Sequence, residues 1–339
     1  YKLVDKAMYK DEILALLREK LEIDEDADIE TACLNDYMNY EDPEKELKEA
    51  LEDNAGDKIA VIYATGSIGG GNGDDESIGS EKISKAIRKA RLDSTVKAVV
   101  FRINSPGGSA LASDVMWREI VLCKEKKPVI VSMGDVAASG GYYIACPADR
   151  IFASPTTITG SIGVFGVIPY MGNFFKNKMG ITTDRAKTNA YADMGSPFRR
   201  LDDFEFSTIQ KGVDKIYLQF TTKVADGRGM TQPEVDEIGQ GRVWTGIDAL
   251  EIGLIDELGG LSAAIDYAAK TAELEDYELK NFPEKEDFLK KFMAELSGET
   301  KAYFAEQVLG VNYKYYEQLD NISSMQGYQM RLPYVIDIR

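Results

Sequence analysis

The feature that most constrains this chain is a series of short, largely apolar segments separated by amphipathic stretches. Ile59-Ala60-Val61-Ile62-Tyr63, Lys97 to Ile103 and Pro128 to Met133 are too short for helices and rich in β-branched residues. Runs of this length, apolar on both faces, read as buried strands. Between them, residues 82–92 place Ile83, Ala86, Ile87 and Ala90 at helical spacing, and 109–126 forms a second helical stretch. A further strand is expected near Arg150 to Ala153. Strand–helix alternation at this interval implies βαβ units and a mostly parallel sheet, hence an α/β fold class.

In such a sheet, chemistry is expected where loops leave the carboxyl ends of the strands. Two glycine-rich turns follow strands directly: Asn104-Ser105-Pro106-Gly107-Gly108 and Ser139-Gly140-Gly141. Both should therefore open on one rim. Adjacent glycines let backbone N–H groups approach a substrate without a Cβ in the way, which suits an oxyanion hole. The first turn is also ordinary strand-to-helix chemistry, and Ser139 read alone is equally a helix N-cap.

Later segments are more helical. They comprise 202–225, 232–239 capped by Thr231, 247–252 and 261–273, after an initial helical pattern over 8–21. Residues 22–53 carry 14 Asp or Glu against Lys45 and Lys48, which reads as a solvated helix face or linker. The expected organisation is a helical, acidic lead-in at 1–55, a main domain at 56–275 and a helical extension at 276–339. The chain opens on Tyr1 inside a helical pattern, as the middle of a longer protein would.

Composition narrows the function classes. A formal charge of −17 argues against a nucleic-acid partner, since phosphate binding needs clustered cations. Three scattered cysteines, Cys33, Cys123 and Cys146, with no histidine among 339 residues, leave neither a disulfide framework nor a zinc site. No metal and no cofactor are expected. No segment approaches the ~20 apolar residues that span a bilayer. The lack of histidine also removes the usual base for a serine nucleophile, for which lysine is the common substitute.

Taken together, the ordered motifs are more specific than any one of them. Asn104 to Gly108, Ala137-Ala138-Ser139-Gly140-Gly141-Tyr142, Thr159-Gly160-Ser161-Ile162-Gly163-Val164, Gly241-Arg242-Val243-Trp244-Thr245-Gly246 and Gly253-Leu254-Ile255-Asp256 resemble the signal peptide peptidase A family. The resemblance spans roughly residues 55–275 and is to the C-terminal half of the family's long, two-half form. It implies a ClpP/crotonase-like fold of repeated ββα/βαβ units with helical extensions at both ends. The implied activity is a Ser/Lys serine endopeptidase that digests cleaved signal peptides and other unfolded hydrophobic peptides. Carried over by position, Ser139 is the nucleophile and Gly108 and Gly140 are oxyanion donors, with Gly107 supporting the turn. Ile162, Gly163, Val164 and Phe165 line the substrate pocket or offer an edge to an extended peptide, with a buried core strand as the alternative. Self-association follows from the same resemblance, a tetramer being one form considered, as does a bacterial inner-membrane location facing the periplasm through an N-terminal anchor outside this chain.

The chain departs from the family's short form at the base. Ala192, in Asn189 to Pro197, stands where that form carries its lysine. The resemblance then implies that the lysine comes from a missing N-terminal half, Lys187 being the in-chain rival. A crotonase-type acyl-CoA enzyme and a non-catalytic scaffold half remain as alternatives.

Overall fold

The computed structural model describes residues 6, 8–21, 56–73, 77–283 and 328–331. Backbone contacts divide the chain into two units, 1–56 and 57–339. In the first, helix α1 (Lys10–Leu21) begins with Asp11 and Glu12 and ends with Arg18 and Lys20, charges that complement the helix macrodipole. The acidic stretch 22–53 and Cys33 lie outside the described residues.

The second unit alternates strands and helices as its sequence pattern predicts. Its first part runs β1 (Lys58–Thr65), β2 (Ser67–Gly69), β3 (Ser77–Gly79), α2 (Ser80–Leu92), β4 (Val96–Ser105), β5 (Gly107–Ser109) and α3 (Ala110–Lys124). There follow β6 (Val129–Ala138), α4 (Gly140–Ala145), β7 (Arg150–Ala153), β8 (Ile158–Gly160), α5 (Gly172–Met179) and α6 (Asp203–Arg228). The chain continues through α7 (Gln232–Ile238), β9 (Val243–Thr245), α8 (Gly246–Glu251), β10 (Glu257–Leu258), α9 (Leu261–Thr271), β11 (Glu278–Phe282) and β12 (Gln329–Arg331).

The main sheet follows the order β10-β7-β6-β4-β1-β11, all neighbours parallel, and β8 and β9 extend it beside the end of β6. Its two faces account for the largely apolar segments. Ala60, Ile62, Val99, Phe101 and Ile103 face the larger core, under α2, α3, α4 and α6. Ile59, Val61, Ala98 and Val100 face the smaller core, under α9. A second sheet, β12-β5-β2-β3, stands at the rim where the glycine turn leaves β4.

Two segments differ from the sequence expectation. β6 runs on from Met133 to Ala138, so it delivers the chain directly to Ser139. Residues beyond 275, expected as a helical extension, contribute strands where they are described: β11 pairs with β1, and β12 pairs with β5. Both pairings join residues far apart in the chain, and local periodicity carries no record of such partners. Most of that expected extension, 284–327, lies outside the described residues.

The interior thiols are inert. Cys123 and Cys146 are free and buried, and burial pushes their thiols up to about 11 and about 12. No described helix is long and apolar enough to cross a membrane.

Candidate active site

Two adjacent parallel strands, β4 and β6, end side by side, with Ser105 opposite Ala137. Each then enters a helix through a glycine turn, which brings the two turns together. In the first, Gly107 adopts φ +96°, and its N–H donates to Ser105 Oγ at 3.1 Å. Ser109 caps α3 by accepting from the Ala112 N–H at 3.4 Å. In the second, Ser139 adopts φ +54° and ψ −114°, a conformation in which a Cβ is strained, and α4 begins at Gly140. The Ser139 N–H donates to the Gly160 carbonyl at 2.8 Å, and its carbonyl accepts from the Tyr143 N–H at 2.8 Å. Ser139 is thus held at a sharp turn between the end of β6 and the start of α4. Its Oγ caps nothing and has no hydrogen-bond partner among the described residues, although Ser139 is fully buried.

The glycines are required by close approach. A Cβ on Gly107 would lie 2.7 Å from the Gly140 nitrogen, and one on Gly140 would lie 3.2 Å from the Gly108 nitrogen. A Cβ on Gly108 would strike the Ile68 carbonyl oxygen at 2.1 Å. The backbones of Gly107, Gly108 and Gly140 thus face each other next to Ser139, so the geometry can supply two backbone donors to one oxygen.

The remaining motifs buttress this corner. Thr159 Oγ1 donates to the Ala137 carbonyl at 2.7 Å, and β8 pairs Gly160 with Ala138. Trp244 packs so closely that a Cβ on Gly160 would meet its Cδ1 at 2.6 Å. Asp256 accepts from the Ile151 N–H and from both terminal nitrogens of Arg228, tying the end of α6 to the sheet. Tyr142, fully buried, donates to the Leu254 carbonyl at 2.7 Å, and burial raises its phenol far above the ordinary range. Tyr142 is therefore a packing residue.

Of the expected pocket residues, Ile162 is buried in the larger core and Val164 packs against it. Gly163 abuts Gly241, where a Cβ would come within 2.9 Å of the Gly241 Cα. Phe165 forms an edge, exchanging two backbone hydrogen bonds with Gln329 at 3.1 and 3.0 Å.

Two described lysines, Lys187 and Lys223, are each held by a carboxylate. Lys187 donates to the Ala190 carbonyl at 2.9 Å and pairs with Asp193 at 3.3 Å. Asp193 also binds Arg185 and Arg199, and the Arg199 hydrogen bonds hold its carboxyl far below the usual range. Lys223, which the sequence reading did not single out, is half-buried on α6 with its ammonium 3.5 Å from the Trp117 ring centroid. Burial lowers its pKa against the opposing pull of Asp114, which also accepts from the Tyr143 hydroxyl at 2.6 Å. Position in α6 gives no sequence signal for this contact, which depends on helix packing. Asp114, Tyr143, Ile216, Gln219 and Tyr328 line a groove of about 840 Å³ that runs past Gly108.

Residues 122–275 match the profile of Peptidase family S49. The chain is 41% identical over 254 residues to Protease 4 of Salmonella typhi, covering 75% of this chain and 41% of that protein. It is 40% identical over 277 residues to the chloroplastic serine protease SPPA of Arabidopsis thaliana, covering 80% and 40% of the two chains. An SppA-type relative in Enterococcus faecium is 34% identical over 236 residues, covering 68% of each. The chain thus spans about two fifths of the length of the first two relatives. Among solved structures, a ClpP1 variant from Listeria monocytogenes aligns with TM-score 0.41 and 15% identity, over 65% of this chain and 99% of that one.

Proposed function

The chain belongs to peptidase family S49, a family of serine-type peptidases, and from that premise we propose that it is the nucleophile-bearing part of a Ser/Lys endopeptidase. The observation that carries this reading is the meeting of the Gly108 and Gly140 backbones beside a strained, unpartnered Ser139. Ser139 Oγ attacks the scissile carbonyl, and its proton passes to a lysine amine. The developing oxyanion accepts from the Gly108 and Gly140 N–H groups, Gly107 leaving the space open. The lysine then protonates the departing amine, and water resolves the acyl-enzyme.

That lysine comes from outside this chain. Ala192 occupies the position expected for it, and Lys187 is held by Asp193 and the Ala190 carbonyl. The substrates are cleaved signal peptides and other unfolded, hydrophobic segments, which lie as an added strand between β5 and Phe165. The protein works as a homo-oligomer at the bacterial inner membrane, facing the periplasm. Supporting self-association, Phe174, Met179, Phe204 and Phe206 are each more than half exposed in the region between β8 and α6 and at the start of α6.

The test is to produce this chain with and without the N-terminal half expected to precede it, and to assay a fluorogenic apolar peptide. Hydrolysis should need both parts and disappear in Ser139→Ala. Full hydrolysis by this chain alone, lost in Lys187→Ala, would show that the base is in-chain.

A further inference from the structure

We infer that Asp114 is a positioning residue of the oxyanion hole: its carboxylate ties the two helices that start at the glycine turns to α6, and so sets how the Gly108 and Gly140 donors face each other. This rests on the peptidase reading above and adds to it a residue that acts on the reaction through the backbone of the site.

The two donors share no strand ladder between β4 and β6. The last pairing of those strands joins Ser105 to Ala137, and both turns lie beyond it. There α3 and α4 pack together directly. Ser113, in the first turns of α3, donates its hydroxyl to the Ser109 carbonyl at 3.0 Å, and its Oγ lies 2.7 Å from where a Cβ on Gly140 would be. The approach of the two turns is therefore a property of how α4 is held against α3.

Asp114 supplies the polar tie. Its Oδ1 accepts from the Tyr143 hydroxyl at 2.6 Å and from the Lys223 ammonium. Tyr143 stands in the first turn of α4, where its N–H donates to the Ser139 carbonyl at 2.8 Å, so a shift of its ring is felt at the nucleophile's own peptide. Lys223 reaches across from α6 with its ammonium 3.5 Å from the ring centroid of Trp117, three residues after Asp114 on α3. Charge-assisted bonds to one carboxylate oxygen in a partly enclosed place are strong and directional.

α6 is pressed on α4 as well. Phe220 packs its ring 4.9 Å from that of Tyr143, and a Cβ on Gly227 would lie 2.2 Å from the Cys146 carbonyl oxygen. Displacing Lys223 thus displaces α4. Asp114 is also the one acidic residue among the described residues that line the groove, and its Oδ1 is turned to protein partners. Without the carboxylate, Tyr143 and Lys223 lose their shared acceptor and a partly enclosed ammonium loses its counter-charge. An oxyanion donor works only within about 2.7–3.1 Å, and a misplacement on the order of 1 Å costs about 10²-fold in rate.

The experiment uses this chain assembled with the lysine-bearing half, a fluorogenic apolar peptide and a peptide aldehyde. Ser139 Oγ–H adds across the aldehyde C=O, and the hemiacetal oxygen sits where the oxyanion forms. Asp114→Ala should lower kcat at least about tenfold, leave KM within about twofold and raise the aldehyde Ki by the factor that kcat loses. Asp114→Asn, which keeps an acceptor, should recover part of the loss, and adding Tyr143→Phe to Asp114→Ala should cost nothing more. Unchanged kcat, a rise confined to KM, or additive losses in the double variant would each overturn the inference and leave the peptidase reading standing. Turnover that persists in Ser139→Ala counts against the peptidase reading instead. A measurement without catalysis then judges the tie itself in this chain. Serine labelled with carbonyl ¹³C and glycine with ¹⁵N pick out the Gly140 amide, in one of two Ser-Gly pairs, and its loss in Ser139→Ala assigns it. That resonance should move in Asp114→Asn and in Tyr143→Phe, and a resonance unmoved in both would overturn the inference whatever the activity.

Discussion

Gly107→Ala is the most exacting test of the oxyanion geometry. The new Cβ would lie 2.1 Å from the Met330 carbonyl oxygen, 2.7 Å from the Gly140 nitrogen and 3.0 Å from the Ala138 carbonyl oxygen. All three contacts are backbone atoms, so no flexible side chain can yield. The methyl group would force the Gly107 and Gly140 backbones apart, moving the Gly140 N–H out of the arrangement proposed for the oxyanion. Removing one oxyanion donor typically costs a factor of about 10²–10³ in turnover, or roughly 3–4 kcal/mol of transition-state stabilisation. The folded state bears a different burden. At φ +96° a Cβ is strained by about 1–3 kcal/mol, and the backbone shifts that relieve the three contacts add to that cost, so stability is measured alongside activity. The expectation is a folded protein, cooperative in urea, whose kcat/KM for a fluorogenic peptide falls at least 100-fold in the assembly with the lysine-bearing half. A variant that keeps kcat/KM within threefold of wild type would refute the assignment of this turn as the oxyanion hole.

Three further outcomes follow from particular contacts. Ser139→Gly should abolish hydrolysis yet raise stability by about 1 kcal/mol in urea denaturation, because glycine accepts positive φ without strain; a less stable variant would mean that Ser139 is not strained. Lys187→Ala removes an exposed ion pair and an exposed hydrogen bond to the Ala190 carbonyl, so activity of the assembly should stay within about twofold and stability within about 0.5 kcal/mol. The Arg199 hydrogen bonds hold the Glu205 carboxyl at about 2 against an ordinary 4.5, so the folded state binds fewer protons than the unfolded chain between those values. This contribution is present above about pH 4.5 and fades as pH falls toward 2, and the stacked Tyr191–Phe204 ring-current shifts in NMR should fade over the same interval.

Features set by neighbouring residues are legible in the sequence. The runs at Ile59–Ile62 and Ala98–Phe101 are apolar on both faces because helices cover both faces of the sheet there. The Thr231 cap was legible because its partner, the Glu234 N–H, lies three residues away. Lys187 and Lys223 were not separable in this way. One is held by Asp193 on a loop and the other by Asp114 across a helix interface, and nothing in their immediate neighbours distinguishes a committed lysine from a free one.

The sequence by itself determined the parallel α/β plan, the two glycine turns at the strand ends and the serine between small residues, since each is a demand on backbone space made within a few residues. Only the tertiary structure decided that the two turns face each other, that Ser139 stands in a strained conformation between them, and that Met330 lays its carbonyl across both. Those facts depend on the register of β4 against β6 and of β12 against β5, and register between distant strands is set by packing, not by the residues on either side.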